Sequence, residues 1–206
     1  MRFVPFAALL LLLVLFGCAP RHAEELSFPV ADMSSPSLSP IVVYEFAFSP
    51  GIVTLDPTLG YSLARGAPGV SPQQRAETLG RAAAFNLADT MIRELKQRGY
   101  DVVAGSGAPQ PGERTLVVSG DFSRIYEGHR HAGAAIAVGV AIDYESSGAA
   151  PQRLTAFSLD SRRLPREDRV RAGLHGEDVN YEATRLGAVI GRYIADVART
   201  EHWPAR

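Results

Sequence analysis

Residues 41–200 are predicted to fold as one α+β domain, with a single mixed, mostly antiparallel sheet of about five strands and two long helices packed on one face. Three observations predict it. Two stretches, 71–98 and 181–199, carry apolar side chains at helical spacing; a β-branched run precedes the first; and further strand-like runs follow one another between the two. The order β-α-β-β-β-β-α keeps strands and helices apart, as in a sheet covered by helices on one side. The first strand reaches the others only through a helix, a connection long enough for parallel pairing, so the sheet is expected to be mixed.

The first strand is Ile41-Val42-Val43-Tyr44-Glu45-Phe46, rich in β-branched and aromatic residues and stopped near Pro50. Residues 49–70 carry Pro50, Pro57, Gly60, Gly66, Pro68 and Gly69. They read as an irregular loop, long for a compact domain. Ser71 then suits an N-cap, Pro72 the first helical position, and Gln74 completes a capping box. Ala84, Leu87, Ala88, Met91 and Leu95 share one face of that helix. Lys96 and Arg98 complement its dipole, and Gly99 supplies a left-handed exit.

Strands are expected next at 100–104, 115–126, 134–144 and 153–159, with turns at 128–133 and 146–151. The stretch 133–142 is the most apolar outside the N terminus. It is expected to be a strand buried on both faces, its Gly and Ala letting a helix pack close. The second helix, 181–199, is capped by Asn180 and buries a stripe of Leu186, Val189, Ile190, Tyr193, Ile194 and Val197.

The N terminus has a different character. Arg2 precedes an apolar run, 3–16, broken only by Pro5. This is the arrangement of a secretory signal, and the run falls short of the roughly 20 apolar residues that span a bilayer. It ends in Leu15-Phe16-Gly17-Cys18, which resembles the lipobox of bacterial lipoproteins, with Phe16 bulkier than the usual residue there. The resemblance implies a signal peptide of residues 1–17, cleavage before Cys18, and acyl chains, palmitate among them, on the Cys18 sulfur. Cys18 is the only cysteine, so no disulfide can form within the chain. Ala19, rather than Asp, follows it, which implies an outer-membrane lipoprotein facing the periplasm of a Gram-negative bacterium. Residues 18–40 are punctuated by Pro and Ser and read as the lipidated cysteine and its flexible tether. Residues 201–206 form a short tail.

Composition narrows the function. Formal net charge is -1, so nothing electrostatic favours nucleic acid. Of 21 basic residues only Lys96 is lysine, a bias that accompanies the Ala- and Gly-rich text. There is no G-x-S-x-G elbow, no H-E-x-x-H and no P-loop, so no enzyme, cofactor or metal site is assigned. The densest polar cluster runs from Gly120 to His131. His129 and His131 would share one side of a strand as metal ligands do, with Glu127 and His175 to complete the set. A solvated hairpin tip is the preferred reading of the same residues. The arginines of 162–171 suit either an anionic partner or a solvated loop.

Several of these residues carry a resemblance. Tyr44-Glu45-Phe46-Ala47-Phe48-Ser49-Pro50, followed by Val53-Thr54-Leu55-Asp56, is similar to the opening motif of an uncharacterised bacterial lipoprotein family, domain of unknown function 4410. Gly120-Asp121-Phe122-Ser123-Arg124-Ile125-Tyr126-Glu127-Gly128-His129-Arg130 is similar to a second stretch of that family, with Tyr126 and His129 departing from its pattern. The resemblance implies fold, export and lipidation, and adds no chemistry. Asp121, Glu127, Gly128, His129 and Arg130 are therefore candidates for an interaction or structural motif. Glu127 and Gly128 would make a hairpin bend, with Gly128 at positive φ, and Arg130 would pair with a carboxylate such as Asp121. The leading functional expectation is a non-enzymatic envelope lipoprotein, held to the membrane through Cys18, that binds a protein partner of an envelope assembly. A periplasmic small-molecule or lipid-binding module using 49–70 as a lid comes second, and a hydrolase third.

Overall fold

Among the described residues, one mixed sheet of six strands carries two long helices on a single side. The computed structural model describes residues 40–57, 69–105, 115–129, 133–146, 149–165 and 178–203. The strands are β1 (Ile41–Tyr44), β2 (Val53–Thr54), β3 (Val102–Gly105), β4 (Thr115–Tyr126), β5 (Ala135–Glu145) and β6 (Gln152–Asp160). They lie in the order β3-β1-β4-β5-β6, with β2 against the far end of β4. The β1–β3, β1–β4 and β2–β4 pairings are parallel and short, whereas β4–β5 and β5–β6 are long antiparallel ladders. The parallel half exists because helix α1 (Pro72–Gln97) returns the chain to the start of β3. Strand β2 lies inside the stretch expected to be irregular loop. Two residues are too few to leave a period-two pattern, and it forms because β4 offers it a free edge.

Both helix starts are built by side chains. Ser71 Oγ accepts the Gln74 N–H at 3.2 Å while Gln74 Oε1 accepts the Ser71 N–H at 2.9 Å, the expected capping box. Gly99 leaves α1 at φ 87°. Helix α2 (Val179–Thr200) corrects the sequence reading: its cap is Asp178, whose carboxylate accepts the Tyr181 N–H at 2.9 Å. A carboxylate at that position also complements the helix dipole, which Asn180 would not. The Asn180 amide oxygen instead accepts from Asn86 Nδ2 at 3.0 Å, tying α2 to α1. The helices cross backbone to backbone, since a Cβ on Gly187 would lie 2.5 Å from the Leu87 carbonyl oxygen.

The core fills the space between helices and sheet. Strand β5 sends Ile136, Val138, Val140 and Ile142 into it, each worth about 1.5–3 kcal/mol of burial. Ala137, Gly139 and Ala141 point the other way and are half-buried. The expectation of a strand buried on both faces is thus corrected. Among the described residues no helix lies on the second face, and the large–small alternation is that of a one-sided strand. No helix among the described residues is long and apolar enough to cross a membrane.

Candidate functional site

The residues singled out in the sequence lie along β4. Beside it the chain from Ile41 to Thr54 runs parallel in three steps. Strand β1 pairs with Leu116, Val117 and Val118; Ala47 bridges Asp121; and β2 pairs with Ile125 and Tyr126. The bridge is made by the Ala47 N–H to the Gly120 carbonyl at 2.9 Å and the Phe122 N–H to the Ala47 carbonyl at 2.8 Å. Between the steps Phe46 turns into the core, where it meets Phe122 edge-on at 6.2 Å and covers Gly120. The two sequence motifs therefore form one seam.

At the end of the seam sits a buried carboxylate. Glu127 is 3% exposed, and its side chain accepts the Asp56 N–H at 2.9 Å and Arg75 Nη2 at 3.4 Å. Its own N–H goes to the Thr54 carbonyl at 2.9 Å. Arg75 comes from the first turn of α1, so Glu127 fastens β2 and the helix start to β4. Gly128 follows at φ 88°, as expected for the bend. The solvated hairpin tip is corrected at Glu127: a charge in low dielectric persists only with donors around it, and the seam brings them. His129 is exposed, with its ring perpendicular to that of Tyr126 at 6.2 Å. Arg130, His131, His175 and Cys18 lie outside the described residues, and among those described no three His, Cys, Asp or Glu side chains gather as a metal site would need.

Asp121 is not part of that node. It stands exposed on the face of the sheet away from α1 and α2, where a Cβ on Gly139 would lie 3.3 Å from its Oδ1. It marks one wall of a trough of about 560 Å3. Gly139, Ala141, Ala156 and Ser158 make the floor, and Arg153 and Arg163 the opposite wall. Two cross-strand ion pairs flank it, Arg153 with Asp143, and Arg124 Nη2 with Asp160 Oδ2 at 2.6 Å.

Asp160 also caps the turn Ser161–Arg163 by accepting the Arg162 N–H at 3.0 Å. Burial pushes its carboxyl upward, but the Arg162 N–H, the Arg124 hydrogen bond and the charges of both arginines outweigh this and hold it below the ordinary 3.8. A depressed carboxyl contributes stability above its unfolded value and loses it as pH falls through the folded one. The stability gap between the wild type and Asp160→Asn, read from urea midpoints, should accordingly be constant from pH 7 down to about 4 and shrink below that. A gap unchanged at pH 2 would contradict the assignment.

Sequence reasoning missed Arg75 as the partner of Glu127. It also missed the buried pair Arg185–Glu182, at 3.3 Å, in which Arg185 further donates to the Ser161, Leu164 and Pro165 carbonyls. That pair did leave a signal, two opposite charges three apart next to the apolar stripe of α2.

No family model and no curated protein matches the sequence. Among solved structures the chain is similar to the crystal structure of an uncharacterised protein, with 13% identity and a TM-score of 0.33, over 80% of this chain and 94% of that one.

Proposed function

We propose that the chain is a cell-envelope lipoprotein, anchored through acyl chains on Cys18, whose folded part is a non-enzymatic protein-binding module of an envelope assembly. The reading rests on one observation above others: half of the sheet, β4 to β6, offers on the side away from α1 and α2 a small-residue floor between an acidic and a basic wall. Such a floor lets a partner's backbone or side chains approach closely, and the charged walls orient it. The trough is shallow and polar-walled, which suits a protein surface better than a lipid tail. The apolar run ending at Cys18 supports export and anchoring, since two or more acyl chains suffice for stable attachment.

A photo-crosslinker at Ala141, in the floor, is expected to capture one defined envelope protein in living cells. The same group at Phe85, which is 63% exposed on α1, should not capture it. Equal capture from both positions, or none from Ala141, would remove the face from the proposal. Palmitate labelling of the wild type that disappears in Cys18→Ala is the parallel test of the anchor, and labelling that persists would refute it.

A further inference from the structure

Strand β6 is the outer strand on its side of the sheet; among the described residues only β5 pairs with it. It is nine residues long, with Arg153 near one end and Asp160 at the other. Between them stand Leu154, Thr155, Ala156, Phe157, Ser158 and Leu159, without a charge or a proline. An edge of that length and character is a template for another strand, and proteins usually guard it with Lys, Pro or a central bulge. Here the only register shift lies at the Arg153 end, where Leu154 is the extra residue opposite Ile142 and Asp143.

We propose that a second copy of this chain covers this edge, the two β6 strands pairing antiparallel about a two-fold axis at Phe157. Opposed residues of an antiparallel pair share a face, so the axis must fall on a residue. Centred on Phe157, Ala156 opposes Ser158 of the second copy and Thr155 opposes Leu159. Across the extra residue at Leu154, Arg153 then opposes Asp160. Both already carry an internal partner, Asp143 for Arg153 and Arg124 for Asp160. The dimer would extend each pair into a row of alternating sign, Asp143, Arg153, Asp160, Arg124, on the face away from α1 and α2. Centred on Ser158, Asp160 would instead oppose Ala156 and Arg153 would lie beyond the end of the second copy's β6, so neither charge would meet its opposite. The edge is thus complementary to itself in one register, and an isologous contact of this kind closes as a dimer rather than growing. It also joins the two small-residue floors into one wider face.

The test uses the full chain carrying Cys18→Ala, purified in detergent. Sedimentation equilibrium should give twice the mass of one chain. Ser158→Lys, an exposed position where a lysine guards the edge, should give the single mass with the far-ultraviolet circular dichroism unchanged. Register is read separately. Chains carrying Ala156→Cys, mixed with chains carrying Ser158→Cys, should form a disulfide dimer under mild oxidation several-fold faster than either variant alone, because only opposed residues come within disulfide range. A single-chain mass at all concentrations, a dimer indifferent to Ser158→Lys, a higher oligomer, or cross-linking of Ser158→Cys alone as fast as the mixture would each overturn the proposal.

Discussion

Arg75→Met should lower the unfolding free energy by about 3 kcal/mol, the usual cost of removing one partner of a buried ion pair. Glu127 is 3% exposed and Arg75 only 17% in its side chain, so solvent screens the pair little. Once Arg75 is gone, the Glu127 carboxylate keeps the Asp56 N–H at 2.9 Å but loses the Arg75 charge. Combining Arg75→Met with Glu127→Gln should recover most of the loss. The amide oxygen of glutamine still accepts the Asp56 N–H, and the carboxylate charge that Arg75 faced is removed with it. The coupling between the two sites, from a double-mutant cycle in urea at pH 7, should exceed 1 kcal/mol. If the double variant is no more stable than Arg75→Met, the two side chains are not coupled and Arg75 does not fasten the helix start to Glu127.

That node also shows where sequence reading stops. Local signals were legible. The Ser71–Gln74 capping box, the Gly99 exit, the positive φ of Gly128 and the bounds of β4 all follow from residues within a few positions of one another. The general architecture followed from the order of these elements. The burial of Glu127 depends on an arginine 52 residues upstream and an amide 71 upstream, so its neighbours suggested only a turn. Strand β2 was invisible for the same reason, being defined by β4 rather than by its own two residues. On β5 the pattern was present in the sequence but misread. Its small residues suggested close helix packing, whereas the helix–helix contact at Gly187 takes that role and the small side of β5 faces away. Asp178 and Asn180 are both good caps, and only the tertiary contact of Asn180 with Asn86 separates them.

Gly120→Ala and Gly139→Ala, on adjacent strands and opposite faces of the sheet, should differ sharply. A Cβ at Gly120 would lie 2.2 Å from the Gly139 carbonyl oxygen and 2.4 Å from the Phe46 ring. The first obstacle is backbone of the neighbouring strand and cannot rotate aside, so β4 and β5 would have to part at this point of their ladder. Overpacking of this kind costs about 3 kcal/mol. Phe46→Leu should not rescue it, since trimming the ring leaves the carbonyl in place. A Cβ at Gly139 comes closest to the Asp121 carboxylate, at 3.3 Å on an exposed side chain that can swing away, and meets the Asp121 carbonyl oxygen only at an ordinary 4.0 Å. Its cost should stay within about 0.5 kcal/mol, as for an ordinary surface change. The functional readout should invert this order. Gly139→Ala narrows the trough without weakening the fold, so capture of the envelope partner from Ala141 should fall several-fold in a protein of wild-type melting temperature. Wild-type capture by Gly139→Ala would leave the floor without a docking role, and equal stability of the two variants would mean that the Gly139 carbonyl does not exclude a side chain at Gly120.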